Sequence, residues 1–69
     1  MASLDAQLLA AHAAGDGYAL VDLYRAAAEQ AGSLDEQCYF LTFAYVYGLE
    51  VNHPAVPDIH ARLKEHGRV

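Results

Sequence analysis

Eleven consecutive residues, Tyr39 to Leu49 (YFLTFAYVYGL), carry no charged side chain in a chain of only 69 residues, and five of them are aromatic. Wound at 3.6 residues per turn, this run puts Cys38, Leu41, Thr42, Tyr45 and Leu49 on one side and Phe40, Phe43, Tyr47 and Val51 on the other. A helix that is apolar on both sides has to be covered on both sides. The cover has to come from the rest of a chain long enough for one small domain with a marginal core. A single domain over residues 1–69 is therefore expected, with part of this helix left for a partner.

The punctuation divides the chain into four helices, and no sustained strand-like alternation interrupts them. Helix one is expected over residues 4–14, with Ser3 as its amino-terminal cap and Gly15 as its left-handed stop. Leu4, Leu8 and Ala11 make a thin stripe, with Leu9 and His12 off it, as in a helix that covers a core. Helix two is expected over 17–31 behind Asp16; its apolar face is Leu20, Leu23, Tyr24, Ala27 and Ala31, with Asp22, Arg25 and Glu29 in water. Helix three, 34–51, opens on SLDE, a capping box of Ser33 and Glu36. Helix four, 56–66, starts near Pro54 and Pro57 and carries a Val56, Ile59 and Leu63 stripe with His60 at its margin. The expected fold class is all-α: four short helices as two antiparallel hairpins.

Charge and cysteine usage exclude several function classes. Residues 1–58 hold eight acidic side chains against Arg25 alone, while Arg62, Lys64 and Arg68 fall in the last eight positions. An acidic body of net charge -5 has no broad basic face, so nucleic acid is not an expected partner. The single Cys38 cannot form an intrachain disulfide, which together with the absence of a basic, apolar leader at the amino terminus points to the cytoplasm. The uncharged run is shorter than the ~20 residues that cross a bilayer, so no membrane association is expected.

The stretch YRAAAEQAGSLDEQCYFLTFAYVYG, residues 24–48, resembles the junction between helix B and the next helix A in tetratricopeptide-like repeats, the SEL-type repeats in particular. Tyr24, Ala27, Ala28 and Gly32 match in helix two, and Leu41, Ala44, Tyr45 and Gly48 match in helix three. Gly15 and Asp16 are similar to the turn inside a repeat unit. Two departures stand out: LEVNHP replaces the tight glycine turn after helix three, and helix one lacks an early large aromatic. The resemblance implies a right-handed stack of two hairpins that binds proteins or peptides and performs no catalysis. Repeat stacks need about three units, so the missing neighbour would be a second copy, giving a homodimer, or a larger protein to which this chain is an accessory subunit.

Candidate site residues follow from that reading. Tyr45 and Phe40 are expected in the core; Tyr39, Phe43 and Tyr47 are expected to meet a partner, with Asn52 as a polar contact at the end of the groove. Arg62, Lys64 and Arg68 either are solvated or meet an acidic patch on the partner. Cys38 is expected to be a buried, inert thiol, and Asp5, Asp22 and Glu29 to be solvated. The alternative is a metal- or small-molecule-binding helical dimer, because Glu50 and His53 stand three apart, as in carboxylate-bridged metal sites, with His60 and His66 as further ligands. Read without metal, His53 is a helix-terminus histidine. Neither a nucleophile elbow nor a phosphate loop is present, so no catalytic residue and no cofactor is expected.

Overall fold

Three of the four helices end in the same way, and those endings set the chain reversals. In a computed structural model describing residues 3–69, the helices are α1 (Leu4–Ala14), α2 (Gly17–Gln30), α3 (Leu34–Val51) and α4 (Val56–Glu65). Met1 and Ala2, part of the amino terminus read above for a leader, lie outside the described residues. Left-handed backbone at Gly15 (φ 66°), Asn52 (φ 55°) and Gly67 (φ 71°) follows α1, α3 and α4. After each, the next N–H reaches back to a carbonyl five residues earlier: Asp16 to Ala11 at 3.0 Å, His53 to Gly48 at 2.9 Å and Arg68 to Leu63 at 2.8 Å. Asn52 thus takes the place that glycine has in the other two turns, which its short polar side chain permits. The helix starts are capped by Ser3, Asp16 and Ser33, each accepting an N–H three residues on at 3.1 Å.

Two boundaries differ by one residue from expectation. Ala31 swings into extended backbone (φ -64°, ψ 141°), ending α2 at Gln30, and His66 caps α4 instead of continuing it.

Consecutive helices pack against one another. Leu4 and Leu8 of α1 line an open cavity together with Ala27 and Gln30 of α2, while His12 meets Tyr24. Gly17 at the start of α2 faces Val51 at the end of α3, and Gly48 of α3 faces Val56 of α4. Backbones approach only in this sequential order; among the described residues, α1 with α3 and α2 with α4 have no close Cα pair. The Cα trace measures 33 × 28 × 14 Å, half as thick as it is wide. A slab of this shape protects the flanks of its middle helix better than its faces.

The core joins α2, α3, the following turn and α4 through Val21, Ala28, Cys38, Leu41, Ala44, Ala55, Ile59 and Leu63. On α3 the buried line is Cys38, Leu41, Ala44 and Gly48. Thr42 and Leu49, grouped by sequence with Cys38 and Leu41, are exposed instead. The reason is Gly48: without a Cβ it lets Val56 press against the α3 backbone, so α2 and α4 converge on the Ala44–Gly48 side and turn Leu49 outward. On α2 the fully buried positions are Leu20, Val21, Ala27 and Ala28, with Leu23 and Tyr24 half-buried. Phe40 and Tyr45, expected in the core, are half-buried residues packed against it.

Candidate protein-binding surface

The aromatic residues of α3 separate into two groups according to which side of the helix they leave. Phe43 and Tyr47 turn toward α2, where Tyr24 receives them: its ring stacks on Phe43 at 5.2 Å and 19° and on Tyr47 at 5.9 Å and 7°. Phe40 lies against the same ring at 6.3 Å. From α1, His12 Nε2 is 2.9 Å from the Tyr24 hydroxyl, and its ring stands edge-on to Tyr47 at 5.7 Å. His12, read from sequence as lying off the packing stripe, is therefore the contact that carries α1 to α3. Withdrawal from water, and then the neighbouring Tyr47 and Tyr39 hydroxyls, push the Tyr24 phenol above its ordinary value of 10.0.

Tyr39 stands at the outer edge of that cluster. It is 59% exposed and leans edge-on against Phe43 at 5.0 Å and 82°. The residues beside it on the outer face are Thr42, Val46 (49% exposed) and Leu49 (57% exposed). Their spacing from Tyr39 is three, four and three, so they form one unbroken stripe along the helix. The Thr42 hydroxyl donates to the Cys38 carbonyl at 2.8 Å and so is satisfied by its own helix. Val46 and Leu49 were not singled out by sequence; the signal was their offset from Tyr39, masked by grouping Leu49 with the core stripe.

Asp35 lies one turn before Tyr39, and Glu50 is next to Leu49. Arg68, beyond α4, forms an ion pair with Asp35 that raises the guanidinium further above its ordinary range. The tail is thereby folded back to the start of α3. Lys64 is exposed and Arg62 half-buried in the last turn of α4, where positive charge suits the helix dipole. Asn52 is exposed, and its backbone N–H bonds to the Gly48 carbonyl, so it shapes the turn. Of the seven partner-binding candidates, then, Tyr39 stands on the open face, Phe43 supports it, Tyr47 packs inward, and Asn52, Arg62, Lys64 and Arg68 lie toward the ends of α3 and α4.

His53 bears on the metal-binding form of the alternative reading. It is only 6% exposed and is held on three sides. Its Nδ1 accepts the Ala55 N–H at 2.9 Å, which places the ring proton on Nε2, and Nε2 lies 3.2 Å from Asp22 Oδ1. The Tyr18 ring covers it at 4.2 Å. With both nitrogens engaged by protein, His53 has no lone pair to join Glu50 and His60 around an ion. His60 instead packs on Tyr45 at 5.6 Å, and among the described residues no three His, Cys, Asp or Glu side chains are placed to hold a metal. Asp22, read as a solvated charge, is 60% exposed and also anchors this turn on α2. Cys38 is a buried free thiol, as expected.

Among the described residues no helix is long and apolar enough to cross a membrane. No family model, no curated protein and no solved structure matches the chain.

Proposed function

We propose that this chain is a noncatalytic protein-binding module or small accessory subunit, working in the cytoplasm, whose docking surface is the outer face of α3. The reading rests on one observation: the middle helix of a thin slab leaves Tyr39, Val46 and Leu49 in water along one stripe, with Thr42 between Tyr39 and Val46. Isolated exposed apolar residues are ordinary, but three on one stripe of a helix mark a surface that gains by being covered. A tyrosine among them adds a large apolar body with a polar tip, the combination favoured at binding surfaces.

The resemblance to tetratricopeptide-like repeats supports the same reading, with α1 and α2 as one hairpin, α3 and α4 as the next, and a right-handed stack of the two. In such a stack the open face of the second hairpin's first helix is where a neighbour or a peptide packs. The basic residues Arg62, Lys64 and Arg68 would orient an acidic patch on the partner and speed its approach.

The test is paired capture from the native host, using tagged wild-type chain and a Val46→Asp variant. A defined partner retained by the first and lost by the second is the expected result. A well-folded wild-type chain that binds neither another protein nor itself would overturn the proposal.

A further inference from the structure

We propose that the cleft where the start of α1, the end of α2 and the start of α3 come together is a binding site for a small organic cation: a primary ammonium group carried on a short hydrocarbon chain. The site is separate from the outer face of α3 and does not depend on the docking role proposed above.

The cleft has an apolar floor and an acidic rim. Leu4 and Leu8 of α1, Ala27 of α2 and Phe40 of α3 supply the hydrocarbon, and Asp5 and Glu36 supply carboxylates. Ala27 is buried and the other three apolar residues are half-buried, whereas Asp5 and Glu36 are exposed, so the charge stands above the hydrocarbon. The cavity measures about 290 Å³, at the lower end of the range for ligand clefts and suited to a small molecule.

Three sources of negative potential border it. Asp5 and Glu36 lie in the first turns of α1 and α3, where the helix dipoles favour negative charge. The third is the carboxyl end of α2, which closes at Gln30 on the cleft wall with no basic side chain in its last turn. No described residue lining the cleft is cationic. Neither carboxylate has a hydrogen-bond or ion-pair partner among the described residues: Ser33 accepts the Glu36 N–H, but the Glu36 side chain does not return to Ser33 to complete the capping box.

A pair of carboxylates is by itself ordinary surface charge. The apolar floor beneath this pair decides what it suits. A bare metal ion would gain nothing from Leu4, Leu8 and Phe40, and among the described residues no three His, Cys, Asp or Glu side chains are placed to hold one. An ammonium on a hydrocarbon chain uses both parts, with its head at the rim, where charge-assisted hydrogen bonds are available, and its chain on the floor.

Titrating n-hexylammonium into the isotope-labelled full chain at neutral pH tests the site. Saturable amide shifts centred on Ala27, Gln30, Glu36 and Phe40 are expected, with a dissociation constant on the order of 1 mM. Hexanoate, a similar chain of opposite charge, should bind roughly 10-fold more weakly, and Asp5→Asn and Glu36→Gln should each weaken the amine about threefold. Gln30→Lys sets a tethered ammonium at the rim and supplies the cation that the last turn of α2 lacks. It should abolish binding while raising the urea midpoint, so its loss of binding cannot be ascribed to unfolding. Nα-acetyl-lysine amide distinguishes a lysine side chain from a free amine, the tighter of the two probes naming the source. Hexylammonium that fails to saturate, binds no better than hexanoate, or is indifferent to Asp5→Asn, Glu36→Gln and Gln30→Lys overturns the proposal. The outer face of α3 is judged separately, by capture of its partner.

Discussion

His53 and Asp22, 31 positions apart in sequence, meet at 3.2 Å, and that contact fastens the α3–α4 turn to α2. The imidazole also accepts the Ala55 N–H, so one side chain both closes the turn and sets the start of α4, which has no side-chain cap of its own. Replacing His53 with Ala should cost about 3 kcal/mol, because it strands a buried N–H and opens a void under Tyr18. Asp22→Ala should cost no more than about 1 kcal/mol, since that carboxylate is 60% exposed. Urea midpoints of the two variants check the order; equal losses would place the weight on the His53–Asp22 hydrogen bond instead of the turn.

Gly48 and Val56 give a second prediction. A Cβ on Gly48 would sit 2.6 Å from Val56 Cγ2, and valine has little rotamer freedom with which to retreat. Gly48→Ala should therefore destabilise by about 2 kcal/mol, even though alanine is the better helix former by about 1 kcal/mol. In a Val56→Ala background the clash is gone and the same change should become stabilising. A double-mutant cycle measured by thermal unfolding reads this reversal of sign.

The two aromatic groups of α3 should respond differently to truncation. Phe43→Ala removes a ring stacked on Tyr24 and should cost about 2–3 kcal/mol, with Tyr47→Ala similar. Tyr39→Ala, on the open face, should change the stability of the isolated chain by less than about 1 kcal/mol. Denaturant titration distinguishes them, and a large loss from Tyr39→Ala would move it from the docking face into the core.

Tyr24 contributes to stability at alkaline pH. Its folded-state value is raised, chiefly by burial, above the ordinary 10.0 that it has in the unfolded chain. The folded protein then holds this proton more tightly than the unfolded one, so the contribution to stability is complete below pH 10 and is lost as pH rises through the folded-state value. Unfolding midpoints measured on either side of pH 10 should fall more steeply for the wild-type chain than for Tyr24→Phe. Parallel curves would show that Tyr24 is not responsible.

Much of the fold was legible in residue types. Ser3, Asp16 and Ser33 announced three helix starts, and Gly15 announced a stop, because capping is local chemistry between residues a few positions apart. The outer-face character of Tyr39 was readable for a related reason: a helix carrying apolar groups all round has more of them than three short neighbours can cover. The partners of His12, Asp22 and His53 were not readable. Each is made between helices, and nothing in the residues beside them records which distant group will arrive.

The sequence by itself determined four helices, their approximate limits and an excess of apolar surface on the third, since capping, periodicity and composition act within one or two turns of chain. Only the tertiary structure decided which part of that surface stays open. The choice came from the line along which Gly48 admits Val56, which drew α2 and α4 to one side, buried Leu41 and Ala44 between them, and left Val46 and Leu49 beside Tyr39 in water. Helical periodicity defines the faces of a rod, but the direction from which its neighbours approach depends on contacts between residues far apart in sequence.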